Sequence, residues 1–497
     1  MLINFRNINQ LSAVSYQPSV VSSQCLCQHH EIDLPLSKSE SNRALMIMHY
    51  AKSQFTIDNE QLTIRQDFQI LKLSNSDDTI LLQKLLDKIQ SAQSLLSVNL
   101  NPSTVELDCD NAGTVFRFLM TAVANLQSTI YNCKDAAYHV PTFLLTGSER
   151  MKSRPIGSLV EALRSLGTSI EYQEREGYPP VLVRDGRIVG GRVEVSAEQS
   201  SQFASSLLLA SPTWKNGLEL HLTGNISSLP YIDMTINMMR HCGIDVERND
   251  RDITVKPGIY NIENIMIEPD WSAAAFWYEA FALSTVNGQQ STVLLKNLNK
   301  NSLQGDAVVM KMFENIGVET VSVDEGVILK ISQGRKAARS QSQEVECNDL
   351  QPTHDFQLLT LDFKDCPDLF PAVIATCAGL QIDTAFTGLK NLSIKESDRK
   401  QAMINELKKI NISFETIETS LYGDSDDTLI MRCPENLPYF KKEAPIIFNN
   451  YGDHRIAMAL SILSLKIGTI EMENTDIVSK SYPDFFDIIN GDIIAKK

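Results

Sequence analysis

Apolar residues recur along this chain in two registers, and the switch from one to the other repeats. Leu163-Arg-Ser-Leu166 runs to Gly167 and then Thr-Ser-Ile-Glu-Tyr. Met239-Arg-His-Cys242 runs to Gly243 and then Ile-Asp-Val-Glu. Phe313-Glu-Asn-Ile316 runs to Gly317 and then Val-Glu-Thr-Val, and Leu407-Lys-Lys-Ile410 runs to Asn411 and then Ile-Ser-Phe-Glu. Apolar residues at i and i+3 predict an amphipathic helix, and the alternation that follows predicts a strand. The residue between them must tolerate left-handed backbone. Gly does so best and Asn next, which accounts for Asn411. The four junctions lie 76, 74 and 94 residues apart. A period near 75 is too long for a solenoid and fits an αβ subdomain of several elements, copied along an α/β chain. The longer last interval coincides with Gln333-Gly-Arg-Lys-Ala-Ala-Arg-Ser-Gln-Ser-Gln343, which is polar and aperiodic and is read as an inserted surface loop.

Other apolar helices are predicted to start at turns that carry cations. Leu34-Pro-Leu-Ser37-Lys38-Ser39 leads into a helix through Ala44, Leu45, Met48 and Ala51, with Ser39 as its expected cap and Arg43 one turn in. Asn111-Ala-Gly113-Thr114 opens the helix Val115 to Val123, which carries Arg117. Gly113 lets a ligand approach the backbone closely. Arg150-Met-Lys152-Ser-Arg154-Pro155 places three cations before a helix, with Pro155 suited to its first turn. Ser200-Ser201-Gln202-Phe203 precedes Leu207-Leu-Leu-Ala210, and Lys395-Glu396-Ser397-Asp398-Arg399 precedes the helix that ends at Asn411. Asp453-His454-Arg455 opens Ile456 to Leu460. An Arg in a first helical turn is disfavoured unless an anion sits there too. Lys480 stands in Val478-Ser-Lys-Ser-Tyr482-Pro483. Eight cations at or beside such turns, Arg43 and Arg117 among them, call for a ligand with two or more phosphate or carboxylate groups. Asp368, ahead of the apolar helix Ala372 to Leu380, and Glu396 are the acid/base candidates. A helix cap is the plainer role for Asp368.

Composition narrows the partners. Acidic residues outnumber basic ones 61 to 45, for a formal charge of −16. That argues against nucleic acid or an anionic membrane as a partner. No stretch approaches the ~20 apolar residues of a membrane span. Met1-Leu-Ile-Asn-Phe-Arg6 does not read as a signal peptide. Nine scattered cysteines read as reduced thiols in a cytosolic protein. Cys25-Leu-Cys27-Gln-His29-His30 is read as part of an irregular tail rather than a metal site, because its C-x-C spacing is not that of zinc. At about 150 residues per domain, 497 residues suggest two or three domains.

Seven motifs, taken in order, resemble one family. They are Ser37-Lys-Ser-x-Ser-Asn-Arg-Ala-Leu45, Asn111-Ala-Gly-Thr114 with Arg117, Arg150-Met-x-x-Arg-Pro-Ile156, Ser200-Ser-Gln-Phe203, Pro230-Tyr-Ile-Asp233, Lys395-Glu-Ser-Asp-Arg399 and Asp453-His-Arg455. Over roughly residues 31–490 the chain is similar to the 3-phosphoshikimate 1-carboxyvinyltransferases, also called 5-enolpyruvylshikimate-3-phosphate synthases. The resemblance implies an inside-out α/β barrel of two domains, each of three βαβαββ units, with the active site in the cleft between them. It implies a discontinuous first domain, 1–34 plus 268–497, carrying the phosphoenolpyruvate-side catalytic residues, and a second, 35–267, on the shikimate 3-phosphate side. It implies transfer of the enolpyruvyl group of phosphoenolpyruvate to the 5-hydroxyl of shikimate 3-phosphate, without metal or organic cofactor, by a cytoplasmic monomer.

By the same resemblance, shikimate 3-phosphate is held by Lys38, Ser39, Arg43, Ser200, Ser201 and Gln202. Ser228, Asp368, Asn391 and Lys395 complete that set, and Tyr231 packs on the ring. Phosphoenolpyruvate is held by Lys38, Gly113, Arg117, Arg150 and Gln202, and by Arg399, Arg455 and Lys480. Asp368 resembles the base for the 5-hydroxyl proton and Glu396 the acid that protonates the methylene carbon, with Lys38 and Lys480 also catalytic. Phe118 and Leu229 depart from the commonest family pattern, and the chain is longer than usual, with an N-terminal extension and an insert near 333–350. The sister reaction on UDP-N-acetylglucosamine uses a reactive Cys shortly before an Arg-Pro pair, and residues 147–155 contain none. A non-catalytic, anion-binding relative would be expected to lack Asp368, Glu396 or Lys480.

Overall fold

A computed structural model describes residues 2–3, 29–54, 72–95, 104–132, 141–263, 265–284, 292–332, 358–417 and 428–494. It divides into two compact units. One is Met1–Pro35, Pro269–Ser302 and Asp306–Lys497; the other is Leu36–Glu268 with Leu303–Gly305.

The period of about 75 residues is the length of one folding module. In the unit Leu36–Glu268, strand Val105–Asp108 leads through helix Gly113–Asn132 to the parallel strand Phe143–Thr146. Helix Gly157–Ser165 then leads into the antiparallel pair Thr168–Tyr172 and Val181–Gly186. The last strand returns beside the second, so the sheet order is first, second, fourth, third. Gly191–Ser196, Leu218–Thr223, Val246–Asn249 and Asp252–Val255 repeat this order. So do Leu359–Asp362, Thr384–Thr387, Ser413–Ile417 and Thr428–Arg432 in the other unit. A fourth copy there is interrupted. Its first strand, His29–Ile32, pairs in parallel with Thr292–Lys296, which follows it only after the whole of Leu36–Glu268. A fifth has three strands, and its antiparallel edge is the N-terminal pair Leu2–Ile3 against Ile470–Met472. The described residues thus hold five βαβαββ-type sheets in a two-domain α/β fold; the insert at 333–343 lies outside them.

The four expected left-handed turns all form, with φ of +106° at Gly167, +83° at Gly243, +106° at Gly317 and +66° at Asn411. Each follows the second helix of its module. Val309–Ile316 shows how that helix is fixed: Val309, Met312, Phe313 and Ile316 form one buried stripe, and Gly317 ends it. Another left-handed turn lies at Gln381, φ +57°, a residue that is neither Gly nor Asn. There the Gln381 amide donates to the carbonyls of Pro434, 2.8 Å, and Glu435, 2.7 Å, which hold the strained backbone.

The first helices of the modules are buried over nearly all their described side chains. Trp271–Ser284, Phe370–Gly379 and His454–Ile467 pack on one another in the core of their unit. Gly113–Asn132 and Ser201–Ala210 do so in the other, beside Lys38–Gln54. Helices apolar all round can only be interior. Among the described residues no helix is long and apolar enough to cross a membrane. Cys109, Cys242, Cys366 and Cys377 are buried as free thiols and Cys433 is half-buried. His29 and His30 begin a strand rather than an irregular tail, and Cys25 and Cys27 lie outside the described residues.

Glu279 interrupts this apolar interior. It lies in Trp271–Ser284 at 0% exposure, and neither carboxylate oxygen has a hydrogen-bond partner among the described residues. Burial pushes its carboxyl well above the usual range. The folded state therefore binds this proton more tightly than the unfolded chain, and stability falls as pH rises from the unfolded pKa of about 4.3 toward the folded value. Glu279→Met is expected to stabilise the protein by about 1–3 kcal/mol at about pH 8 and by less at about pH 5. Urea unfolding at the two pH values checks this; a destabilised variant, or a gain no larger at the higher pH, would refute it.

Candidate active site

The turn that opens Arg399–Lys408 and the turn that opens His454–Ile467 meet through a single guanidinium. Asp398 caps the first helix, its Oδ1 accepting from the Gln401 N–H at 3.0 Å, and this places Arg399 at the first helical position. Asp453 caps the second, accepting from the Arg455 N–H at 3.0 Å. Arg399, 1% exposed, donates from Nε to Asp453 Oδ2 at 2.8 Å, from Nη1 to Asp368 Oδ1 at 2.7 Å and from Nη2 to Glu396 Oε2 at 2.8 Å. Burial opposes its charge, but Asp453, Glu396 and Asp368 outweigh burial and hold its pKa well above the usual value. Ser397 adds a hydrogen bond to Asp453 Oδ2 at 3.2 Å.

Asp368 is not the helix cap that its position suggests. Phe370–Gly379 starts two residues later with Leu369 at the cap, and the Asp368 carboxylate turns to cations instead. Beside Arg399 it accepts from Arg455 Nη2 at 2.8 Å, and Lys395 Nζ lies 3.6 Å away. The anion that an Arg in the first turn of His454–Ile467 requires is therefore Asp368. Burial disfavours the Asp368 charge, yet Arg455, Lys395 and Arg399 overcome it and hold the carboxyl well below the usual range. Glu396 Oε1 lies 3.9 Å from Lys480 Nζ. Asn391 sits in the short helix Lys390–Ile394, which leads directly to Lys395.

Asp306 was not identified as a site residue from sequence. It is buried, bonded to the Ser272 hydroxyl, and pushed up to about 6 by burial and the charge of Asp368, against the pull of Arg455. Asp453 was legible as a cap but not as the partner of Arg399, because nothing in local spacing reports a contact 54 residues away.

The other unit gathers a second set. Lys38–Gln54 starts two residues earlier than expected: Ser37, not Ser39, holds the cap position, with Oγ accepting from the Glu40 N–H at 3.3 Å. Lys38 pairs with Asp78 at 3.0 Å, a partner not anticipated because it lies 40 residues on. Arg43 is enclosed by the carbonyls of Ser39, 2.8 Å, and Tyr231, 3.1 Å, and by Thr235 Oγ1 at 2.7 Å. Burial lowers its pKa to about 10. Ser200 caps Ser201–Ala210 by accepting from the Gln202 N–H at 3.2 Å. The Gln202 side chain bridges Arg117 and Thr114, so the helices Gly113–Asn132 and Ser201–Ala210 are joined at this point. Ser228, at φ +56°, starts Leu229–His241 and positions Tyr231.

Gly113 has a second reason to lack a side chain. A Cβ there would lie 2.5 Å from Arg154 Nη1, so the guanidinium of Arg154 occupies that space. Arg150 stands on the short helix Glu149–Lys152, capped by Ser148. Pro155 precedes the Ile156 cap of Gly157–Ser165 and is not in its first turn, because the chain first makes that extra helical turn. Among the described residues no cluster of His, Cys, Asp and Glu has metal-holding geometry.

Buried carboxylates held among guanidinium and ammonium groups suit proton transfer beside anionic ligands. Sequence relationships fit that chemistry. The family model described as EPSP synthase (3-phosphoshikimate 1-carboxyvinyltransferase) matches residues 27–489, and the chain belongs to this family. The 3-phosphoshikimate 1-carboxyvinyltransferase of Bacteroides fragilis (strain YCH46) is 34% identical over 92% of this chain and 93% of its own. That of Sulfurovum sp. (strain NBC37-1) is 30% identical over 93% and 96%. The solved EPSP synthase of Acinetobacter baumannii is 21% identical, covers 93% of this chain and 95% of its own, and has a TM-score of 0.59, a likeness of fold.

Removing Arg399 leaves Asp453, at 0% exposure, without its main counter-charge. Arg399→Gln is expected to destabilise the protein by about 3–5 kcal/mol near pH 7. The Asp368 carboxyl lies below its unfolded value, so the stability it contributes is present above about pH 4 and is lost as pH falls through the folded value. The gap between parent and variant should therefore narrow below about pH 4. A gap that stays unchanged as pH falls from about 4 to about 2 in chemical unfolding would refute the assignment.

Proposed function

We propose that this chain transfers the enolpyruvyl group of phosphoenolpyruvate to the 5-hydroxyl of shikimate 3-phosphate, releasing phosphate. The observation that carries this reading is family membership over residues 27–489 together with two carboxylates, Asp368 and Glu396, on one buried guanidinium. Shikimate 3-phosphate is assigned to Lys38, Ser39, Arg43, Ser200, Ser201 and Gln202, with Ser228, Tyr231, Asn391, Lys395 and Asp368. Phosphoenolpyruvate is assigned to Lys38, Gly113, Arg117, Arg150 and Gln202, with Arg399, Arg455 and Lys480. The protein acts as a monomer in the cytoplasm.

Asp368 is a poor base while Arg455, Lys395 and Arg399 hold its charge. Binding of the substrates' anionic groups gives those cations new partners, and the basicity of Asp368 rises. It then takes the proton of the 5-hydroxyl as that oxygen attacks C2 of phosphoenolpyruvate. Glu396, with Lys480 beside it, gives a proton to the methylene carbon. The product of these steps is a tetrahedral intermediate bearing a methyl group and the phosphate. Return of a methyl proton to a carboxylate, with departure of phosphate, yields 5-enolpyruvylshikimate 3-phosphate. Proton transfer of this kind contributes about 10²–10⁴-fold, and the remainder falls to positioning and the cationic surroundings.

Phosphate release from phosphoenolpyruvate is expected with shikimate 3-phosphate and not with UDP-N-acetylglucosamine. Glu396→Ala should lower turnover by about 10²–10⁴-fold while leaving the Kd of shikimate 3-phosphate within a few-fold. Absence of release with shikimate 3-phosphate would refute the reaction. A Kd that weakens as much as turnover would refute the role of Glu396. With Gly113 in place, inhibition by glyphosate is expected at low phosphoenolpyruvate; a need for millimolar inhibitor would count against the assignment of Gly113.

A further inference from the structure

The loop before Asp453 holds two consecutive residues in left-handed conformation, Tyr451 at φ +53° and Gly452 at φ +66°. Gly adopts this region freely, whereas a bulky Tyr does so at a cost. What holds Tyr451 there is Glu406, which is 1% exposed and lies two turns beyond Arg399 on the same helix. Glu406 Oε1 accepts from the Tyr451 hydroxyl at 2.8 Å. Its Oε2 accepts from the Asn449 N–H at 2.9 Å and from Lys409 Nζ at 2.7 Å. Lys409 in turn donates to the Ile447 carbonyl at 3.0 Å, on the strand that feeds the loop. Within the loop, Asn449 Oδ1 accepts from the Tyr451 N–H at 2.7 Å, and Asn450 Oδ1 from the Gly452 N–H at 2.9 Å. Asn450 Nδ2 fastens the far side to the carbonyl of Glu473 at 2.8 Å.

One helix therefore grips the segment 449–453 at two points. Arg399 holds Asp453 from the start of Arg399–Lys408, and Glu406 holds Asn449 and Tyr451 from near its end. The segment between these grips ends in the cap of His454–Ile467, and Arg455 is the second residue of that helix. A shift of the turn therefore moves the Arg455 guanidinium.

We propose that Glu406 is a positioning residue for Arg455: through Tyr451 and Asn449 it sets the turn from which His454–Ile467 starts, and so the place where Arg455 meets phosphoenolpyruvate. The inference rests on the assignment of Arg455 to that substrate. Glu406 itself touches no reacting atom. Its loss should therefore appear in the use of one substrate and not the other, whereas a purely structural role would lower the folded fraction and leave both KM values in place.

The test is steady-state kinetics of Glu406→Ala, Glu406→Gln and Tyr451→Phe, with Arg455→Lys alongside and folding checked by thermal unfolding. Tyr451→Phe removes one hydroxyl and leaves no buried charge bare, so it keeps the test open should Glu406→Ala fail to fold. Glu406→Ala is expected to raise KM for phosphoenolpyruvate by about tenfold to a hundredfold, with KM for shikimate 3-phosphate changed less than about twofold. Tyr451→Phe should shift the same constant by about threefold or more. Glu406→Gln should fall between parent and Ala, because an amide can accept from Asn449 and donate to the Tyr451 oxygen. If Arg455→Lys raises this KM while folded Glu406→Gln and Tyr451→Phe keep the parent value, the inference is overturned. If Arg455→Lys also leaves it unchanged, the assignment of Arg455 fails and the inference falls with it.

Discussion

The buried guanidinium of Arg399 is the constraint around which one unit of this protein is organised. Three carboxylates from three segments share it: Asp453 at the cap of one helix, Asp368 two residues ahead of another, and Glu396 in the turn before its own. A guanidinium suits this task because its donors form a rigid planar fork, while an ammonium would serve three acceptors as a point charge. Burying such charges is expensive, and breaking a buried pair leaves a bare charge behind. The three helix starts are therefore fixed relative to one another by electrostatics as well as by the apolar packing of Phe370–Gly379, His454–Ile467 and Trp271–Ser284.

The arrangement also gathers four cations within one unit. Arg399, Arg455, Lys395 and Lys480 face Asp368, Glu396 and Asp453. Four cations gathered at helix starts fit a site meant for anions, and Asp368 takes the place of an anion until one arrives. This resolves an apparent conflict. A carboxylate pinned by three cations is a weak base, yet the proposed reaction asks Asp368 to accept a proton. If the substrate's own phosphate and carboxylate groups engage those cations, binding itself restores the base. The hydroxyl proton then moves only when the reacting groups are in place.

Much of the fold was legible because its punctuation is local. Gly167, Gly243, Gly317 and Asn411 each end a helix for a reason contained in a few residues, and their spacing gave the module length. Gln381 was illegible for the opposite reason: its left-handed turn is held by carbonyls more than 50 residues away. The site follows the same division. Asp453 and Ser200 could be read as caps, and Lys395, Glu396, Arg399 and Arg455 as charges beside helix starts. That Asp368 answers Arg455, or Asp78 answers Lys38, depends on folds of the chain that no spacing reports. Ser39 and Pro155 were misplaced by a residue or two because several neighbours can cap or open a helix equally well, and tertiary packing chooses among them.

The division has a physical basis in the module itself. A helix must leave its sheet and return, and the two ends face different demands. The end that returns needs only a residue tolerant of left-handed backbone, so Gly or Asn suffices and any surface will do. The end that departs exposes unpaired N–H groups that attract negative charge. In this chain those departing ends are where Asp453, Ser200 and Asp398 sit as caps and where Lys38, Arg399 and Arg455 sit as cations. Caps supply negative groups the helix wants; cations there are unfavourable by themselves. The chain tolerates them because carboxylates from other segments answer them in the free protein and, on the proposed reading, substrate anions answer them in turn. The same copies that build the fold by their returning ends thus build the chemistry by their departing ones, which is why the composition of the whole chain, with its net negative charge, says so little about the ligands it is fitted to hold.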